Sequence, residues 1–184
     1  VHRAVQLLRH VAEGGPRLGL TELAERLGVA KPTVHALLRT LEAEGLVRKD
    51  PQTLRYALGP GVLRLSNAFL ETHELRMRSL TWADLLAVRA NEAVWVAVPI
   101  DDHVLVVHHA FRPEGAVQIL EVGASIPWHT CALGKAMVAF LPEKTRTELL
   151  NAELGPLTGH SIVDPSVLAA QLDEVTKVGY ALEN

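Results

Sequence analysis

Between residues 31 and 55 the chain gathers side chains that donate hydrogen bonds or carry positive charge: Lys31, Thr33, His35, Arg39, Arg48, Lys49 and Arg55. Donors of this kind, set at helical spacing, suit the phosphates and base edges of a nucleic acid. A second group, Trp128-His129-Thr130-Cys131-Ala132-Leu133-Gly134, reads as an irregular segment running into a helix. The unpaired N–H groups and positive dipole end of such a start suit a carboxylate or phosphate. A third group, His103, His108, His109, His129 and Cys131, contains metal-ligating types but not the compact spacing of a zinc site. His108 and His109 on one strand would point to opposite faces, so no metal is expected. Cys131 beside His129 leaves open a thiol of lowered pKa that senses redox state, against a small buried residue. The chain has no GxSxG, Walker or GxGxxG element, and neither enzyme activity nor a cofactor is expected.

The donors of the first group need an element to present them. Leu20, Leu23, Ala24 and Leu27 form an i, i+3, i+4, i+7 stripe, and Val34, Leu37, Leu38 and Leu41 repeat it. Gly28 lies between, where a helix stops and positive φ is free of cost to glycine. Ala24 is small where two helices crossing steeply need close approach, which completes a helix-turn-helix pattern. With the stripe of the second helix turned inward, Thr33, His35 and Ala36 are placed to read base edges, Ala36 against a thymine methyl. Lys31, Arg39, Arg48, Lys49 and Arg55 are placed to hold phosphates. Val1, Ala4, Val5, Leu8, Val11 and Ala12 mark a preceding helix that Gly14-Gly15-Pro16 ends. Gly45 stops the second helix of the pair, and Leu46–Lys49 and Leu54–Leu58 read as strands of a hairpin. Asp50-Pro51-Gln52-Thr53 is its type I turn. The whole is a winged helix-turn-helix over residues 1–58.

Charge follows the same division. Residues 1–58 hold nine Lys/Arg against six Asp/Glu, a formal +3; the remainder holds nine against fifteen, a formal −6. A basic head on an acidic body fits a polyanion met by the head alone. With 48% hydrophobic and 21% charged residues, the chain has the composition of a globular protein, not a disordered one. No apolar run approaches the ~20 residues of a membrane span, and no signal peptide is visible. A single cysteine is compatible with the reducing cytoplasm, the expected location.

Past the wing, residues 58–61 read as a linker, within a linking segment 59–72 that carries a short helix over Val62–Leu70. A longer helix is expected over His73–Arg89, with Leu75, Leu80, Leu85, Leu86 and Val88 available for burial. Strands follow at Val94–Val98, Val104–Ala110 and Val117–Glu121, and a helix from Val167 to Val178 has Asp164 as N-cap and Gly179 at C′. Strands alternating with helices over 73–184 indicate an α+β chain whose second domain is α/β and sensor-like.

The residues now carry a resemblance. LTELAERLGVAKPTVHALLRTLEAEGLV (20–47), RKDPQTLRYALGP (48–60), PWHTCALGKAMVAFLP (127–142) and VDPSVLAAQLDEVTKVGYALEN (163–184) together resemble the IclR family of transcriptional regulators along the whole length. The resemblance implies a C-terminal effector-binding domain with a GAF-like sheet and assembly as a homodimer or tetramer. It also implies effector contacts at Ala132, Leu133 and Glu183; the helix entry itself adds Thr130 and Cys131, and Trp128 and His129 are expected to line the site. Family members continue beyond this point, so the effector domain is expected to be incomplete at its C-terminus. Three positions depart from the family pattern: Leu54 stands where glycine is common, Ala36 where arginine is common, and Cys131 where a small or hydroxyl residue is usual. The expectation is a repressor of a metabolic operon that binds double-stranded operator DNA and answers to a small effector, anionic or polar. A DNA-tethered enzyme-like or thiol-redox sensing domain is the alternative.

Overall fold

The computed structural model describes residues 1–14, 18–115 and 118–183. Gly15 and Pro16, which were expected to end the first helix, and Val117, which was expected to open a strand, lie outside them. The chain divides into two compact units, Val1–His73 and Glu74–Asn184.

The first unit contains α1 (His2–Glu13), α2 (Leu20–Leu27), α3 (Lys31–Ala43), β1 (Val47–Lys49), β2 (Tyr56–Leu58) and α4 (Gly61–Thr72). Its core is one cluster in which Leu7, Val11, Leu23, Ala24, Val34, Leu38, Leu41, Val47 and Tyr56 meet. Gly28 ends α2 at φ 66°, and its N–H closes onto Glu25 O. The inward face of α1 differs from the expected stripe. Leu7 and Val11 are buried with Ala4 and Leu8 beside them, whereas Val1, Val5 and Ala12 are exposed. The face that packs is therefore 4, 7, 8, 11, turned by about one position. β1 and β2 pair antiparallel with Lys49 opposite Tyr56, and Leu18 adds an isolated bridge to Tyr56.

Residues 59–61, within the expected linker, are closely packed against the end of α3 and β1. Gly59 N donates to Leu46 O and Gly61 N to Gly45 O, both at 2.9 Å. A Cβ on Gly59 would stand 2.3 Å from Gly45 O. Helix α4 then leaves this junction with Leu63, Leu65 and Phe69 exposed.

The second unit contains α5 (Glu74–Ala90), β3 (Val94–Ile100), β4 (His103–Ala110), β5 (Ser125–Pro127), a 3-10 turn (Trp128–Thr130), α6 (Ala132–Ala139), α7 (Glu143–Leu150) and α8 (Pro165–Val178). The strands form an antiparallel sheet in the order β3-β4-β5. The third strand is Ser125–Pro127, paired with His103–Leu105; residues 118–121 form no strand. The apolar letters of 118–121 misled: Glu121 and Gly123 belong to the turn that leads into β5, with Gly123 at φ 92°.

Helix α5 lies on one face through Ala83 and Ala87, which meet Val94, Val96 and Ala110. Small residues four apart allow the helix axis to approach the sheet closely. The large residues expected there fall on other sides: Leu75, Leu85, Leu86 and Val88 are exposed and Leu80 is half-buried. On the other face Leu133 and Met137 of α6 meet Ala97, Val104, Val106 and Ile126. Beyond α6, Val138, Ala139 and Trp128 pack against Leu168, Leu172 and Val175 of α8. Helix α6 thus sits between the sheet and α8. Asp164 caps α8 by accepting from Ser166 N and Val167 N and also accepts from the Ser166 hydroxyl; the hydroxyl bond first, then the two N–H bonds, hold its carboxyl below the usual range.

Candidate nucleic-acid interface and effector cavity

Two sites emerge, one in each unit. In the first, Val34, Leu38 and Leu41 anchor α3 in the core. Lys31, Thr33, His35, Ala36 and Arg39 are all exposed on the rest of its surface. The N-cap position is Ala30, which offers no side-chain cap. In the first turn Pro32 has no N–H and Thr33 N donates to Ala30 O at 3.0 Å, so contacts from this end of α3 fall to its side chains.

The wing lies beyond the far end of α3. Asp50 accepts from Gln52 N at 2.9 Å and Thr53 N at 3.0 Å, and its carbonyl takes Leu54 N. Leu54 adopts φ 57°, the left-handed conformation for which glycine is suited, and it is exposed. The substitution of leucine leaves the hairpin closed but strained. Arg48 is exposed, whereas Lys49 is half-buried with its ammonium 5.7 Å from the centre of the Tyr56 ring. Arg55 is already engaged, with Nη1 3.8 Å from Glu22 Oε2. That carboxylate also accepts from Gly19 N at 2.7 Å and so fixes the start of α2. A phosphate reaching Arg55 must share it with Glu22.

In the second unit the seven residues expected at an effector site divide. Trp128 and Cys131 are buried among core residues, and Leu133 packs toward the sheet. His129 is buried, with Nε2 2.9 Å from Gly155 O. Thr130, His129 and Glu183 line a cavity of about 530 Å3 with Lys135, Thr158, His160, Ser161, Ile162, Gln171 and Leu182. Two N–H groups at the start of α6 are already engaged by side chains. Ala132 N donates to Glu183 Oε2 at 2.7 Å, and Gly134 N to Cys131 Sγ at 3.3 Å. Cys131 is thus the N-cap of α6, which explains why a hydroxyl residue would suit the same position. Burial pushes its thiol up, not down, which is the wrong direction for a reactive thiolate. Gly134 permits this turn: a Cβ there would stand 2.2 Å from Trp128 O.

Lys135, Gln171, Thr158, His160 and Ser161 were not anticipated. Lys135 had a readable signal, a lysine on the face of a short helix whose other members, Gly134, Val138 and Ala139, are all buried. A buried ammonium requires internal acceptors, and it finds Leu182 O at 2.7 Å and Gln171 Oε1 at 3.4 Å. The others come from distant stretches that only the folded chain brings together. Elsewhere His108 reaches Asp84 of α5 at 3.2 Å, while His109 accepts from Glu121 N. No helix is long and apolar enough to cross a membrane among the described residues.

Comparison with known proteins agrees with this division of labour. Residues 1–51 match the IclR helix-turn-helix domain, and residues 67–184 match the C-terminal domain of bacterial IclR transcriptional regulators. The glycerol operon regulatory protein of Streptomyces griseus is 43% identical over 183 residues, which covers 100% of this chain and 72% of that protein. The transcriptional repressor IclR of Escherichia coli is 28% identical, over 99% of this chain and 68% of its own length. Among solved structures, an IclR transcriptional regulator from Alicyclobacillus acidocaldarius superposes with a TM-score of 0.81 at 33% identity, covering 98% of this chain and 73% of that one.

Proposed function

Because the chain belongs to the IclR family of DNA-binding transcriptional regulators, we propose that it represses a metabolic operon by seating α3 in the major groove of its operator. The observation that carries this reading is the two-sided α3, with one face buried and the other presenting Thr33, His35, Ala36 and Arg39. In this reading Thr33, His35 and Ala36 read bases, while Lys31, Arg39, Arg48, Lys49 and Arg55 position the protein on phosphates. The first 58 residues act as the DNA-binding domain, 59–72 as the connection and 73–184 as the effector domain. The relative that regulates a glycerol operon supports a target concerned with small carbon compounds.

One recognition helix reads only a few base pairs, so the working form is a homodimer or tetramer on a pseudo-palindrome. The exposed apolar side chains of α4, with Leu65 and Phe69 four apart on one face and Leu63 on another, support self-association. A small polar metabolite in the cavity beside Thr130 and Glu183 binds one arrangement of the assembly better than another and so changes operator affinity. Catalysis plays no part in this scheme, and the protein acts in the cytoplasm where its operator lies.

The test is a gel-shift titration of the protein on DNA upstream of its own and adjacent operons at several salt concentrations. Specific binding with log affinity falling at about 0.9 per phosphate contact against log salt is expected. Binding that ignores salt, or none on any of these sequences, would overturn the proposal.

A further inference from the structure

Among the described residues, the lining of the effector cavity carries one formal cation, Lys135, and one formal anion, Glu183, with the histidines counted neutral. Lys135 is 7% exposed, and two of its three N–H donors go to Leu182 O and Gln171 Oε1. One ammonium N–H and the amide NH2 of Gln171 are left to donate. Glu183 spends Oε2 on Ala132 N and keeps Oε1 to accept. The Thr130 hydroxyl gives its proton to Pro127 O at 2.9 Å and keeps lone pairs to accept. These described lining residues therefore balance in formal charge and offer donors and acceptors side by side.

We propose that this cavity takes a neutral, multiply hydroxylated small molecule, a polyol or sugar, in preference to a carboxylate or phosphate. The proposal rests on the effector-site reading above and names its ligand class. A hydroxyl donates and accepts at once, so it satisfies both kinds of lining group. A carboxylate only accepts, and it brings a second negative charge beside Glu183. The Ala132 N–H at the helix start, which could have compensated an anion, is already held by that same side chain. An ammonium ligand meets the opposite obstacle in Lys135. A volume of about 530 Å3 leaves room for five- or six-carbon chains.

Calorimetric titration with matched pairs tests this: glycerol against glycerol 3-phosphate, and glucitol against gluconate, on wild type and on Glu183→Gln. The neutral member should bind wild type at least about tenfold tighter, as like-charge contacts predict. Glu183→Gln keeps an acceptor for Ala132 N and removes the charge, so the gap should narrow about tenfold through tighter binding of the anion. The wild-type comparison stands even if the variant folds poorly. Tighter binding of gluconate or glycerol 3-phosphate by wild type would overturn the ligand class and leave the site in place. A gap untouched by Glu183→Gln would overturn the charge argument. If neither pair binds while the protein still holds operator DNA, the cavity is not the effector site, and both readings of it fall.

Discussion

The two units place function differently with respect to their cores. In the head, one cluster from Leu7 to Tyr56 fixes α3, and every candidate DNA contact is a side chain standing outside that cluster. In the effector unit two smaller clusters lie on either side of α6 and a third joins α5 to the far face of the sheet, while polar bonds from Glu183 to Ala132 N and from Lys135 to Leu182 O hold the 182–183 segment against α6 beside the cavity. A surface grafted on a finished core can change its letters without refolding. A site that shares its hydrogen bonds with the fold cannot.

Glycine substitutions should break that contrast most sharply, because both units use a glycine for close backbone approach. Gly134→Ala drives a Cβ to 2.2 Å from Trp128 O and Gly59→Ala to 2.3 Å from Gly45 O. Each should cost about 3 kcal/mol, the upper part of the range for overpacking. Gly134→Ala should lower thermal stability and lose ligand binding together, since the same turn builds the cavity. Gly59→Ala should lower stability while leaving the intrinsic base preference of α3 intact. Thermal unfolding followed with calorimetry and operator binding separates the two; equal loss of ligand binding in both variants would erase the distinction.

A smaller effect sharpens the comparison from the head. Leu54 holds φ 57° in the wing turn with its side chain in water. Leu54→Gly relieves roughly 1–2 kcal/mol of left-handed strain and adds roughly 0.5–1 kcal/mol of chain entropy to the unfolded state. A net gain somewhat below about 1 kcal/mol is expected in chemical denaturation. A loss of stability would show that the leucine side chain does something the exposed turn does not reveal.

The head was largely legible because its periodicities and punctuation are local. Gly28, Gly45 and the two leucine stripes lie within a few residues of the partners they dictate. The misjudged face of α1 shows the limit, since several apolar letters permit two adjacent stripes and only packing chooses Leu7 over Val5. In the effector unit the capped α8 was readable from Asp164 and Gly179, which again act locally. The packing of α5 was not, because Ala83 and Ala87 are small and the larger residues drew attention. The cavity was readable only in part. Thr130 and Glu183 carry the family pattern, while Ser161 and Gln171 are ordinary letters that only the folded chain brings to the lining, Gln171 through Lys135 thirty-six positions away. Donor N–H groups at a helix start looked open in the sequence, yet the chain supplies its own carboxylate fifty-one residues later.

The central claim is that α3 reads the operator while the basic wing positions it. Its most direct measurement is binding to a library of half-site variants by wild type, Thr33→Ala, His35→Ala and Arg48→Ala. The helix variants should shift base preference at particular positions by ~1–3 kcal/mol. Arg48→Ala should weaken every sequence about equally and reduce the salt slope by ~1. Altered base preference in Arg48→Ala, with none in Thr33→Ala and His35→Ala, would make the wing the reader and contradict the account.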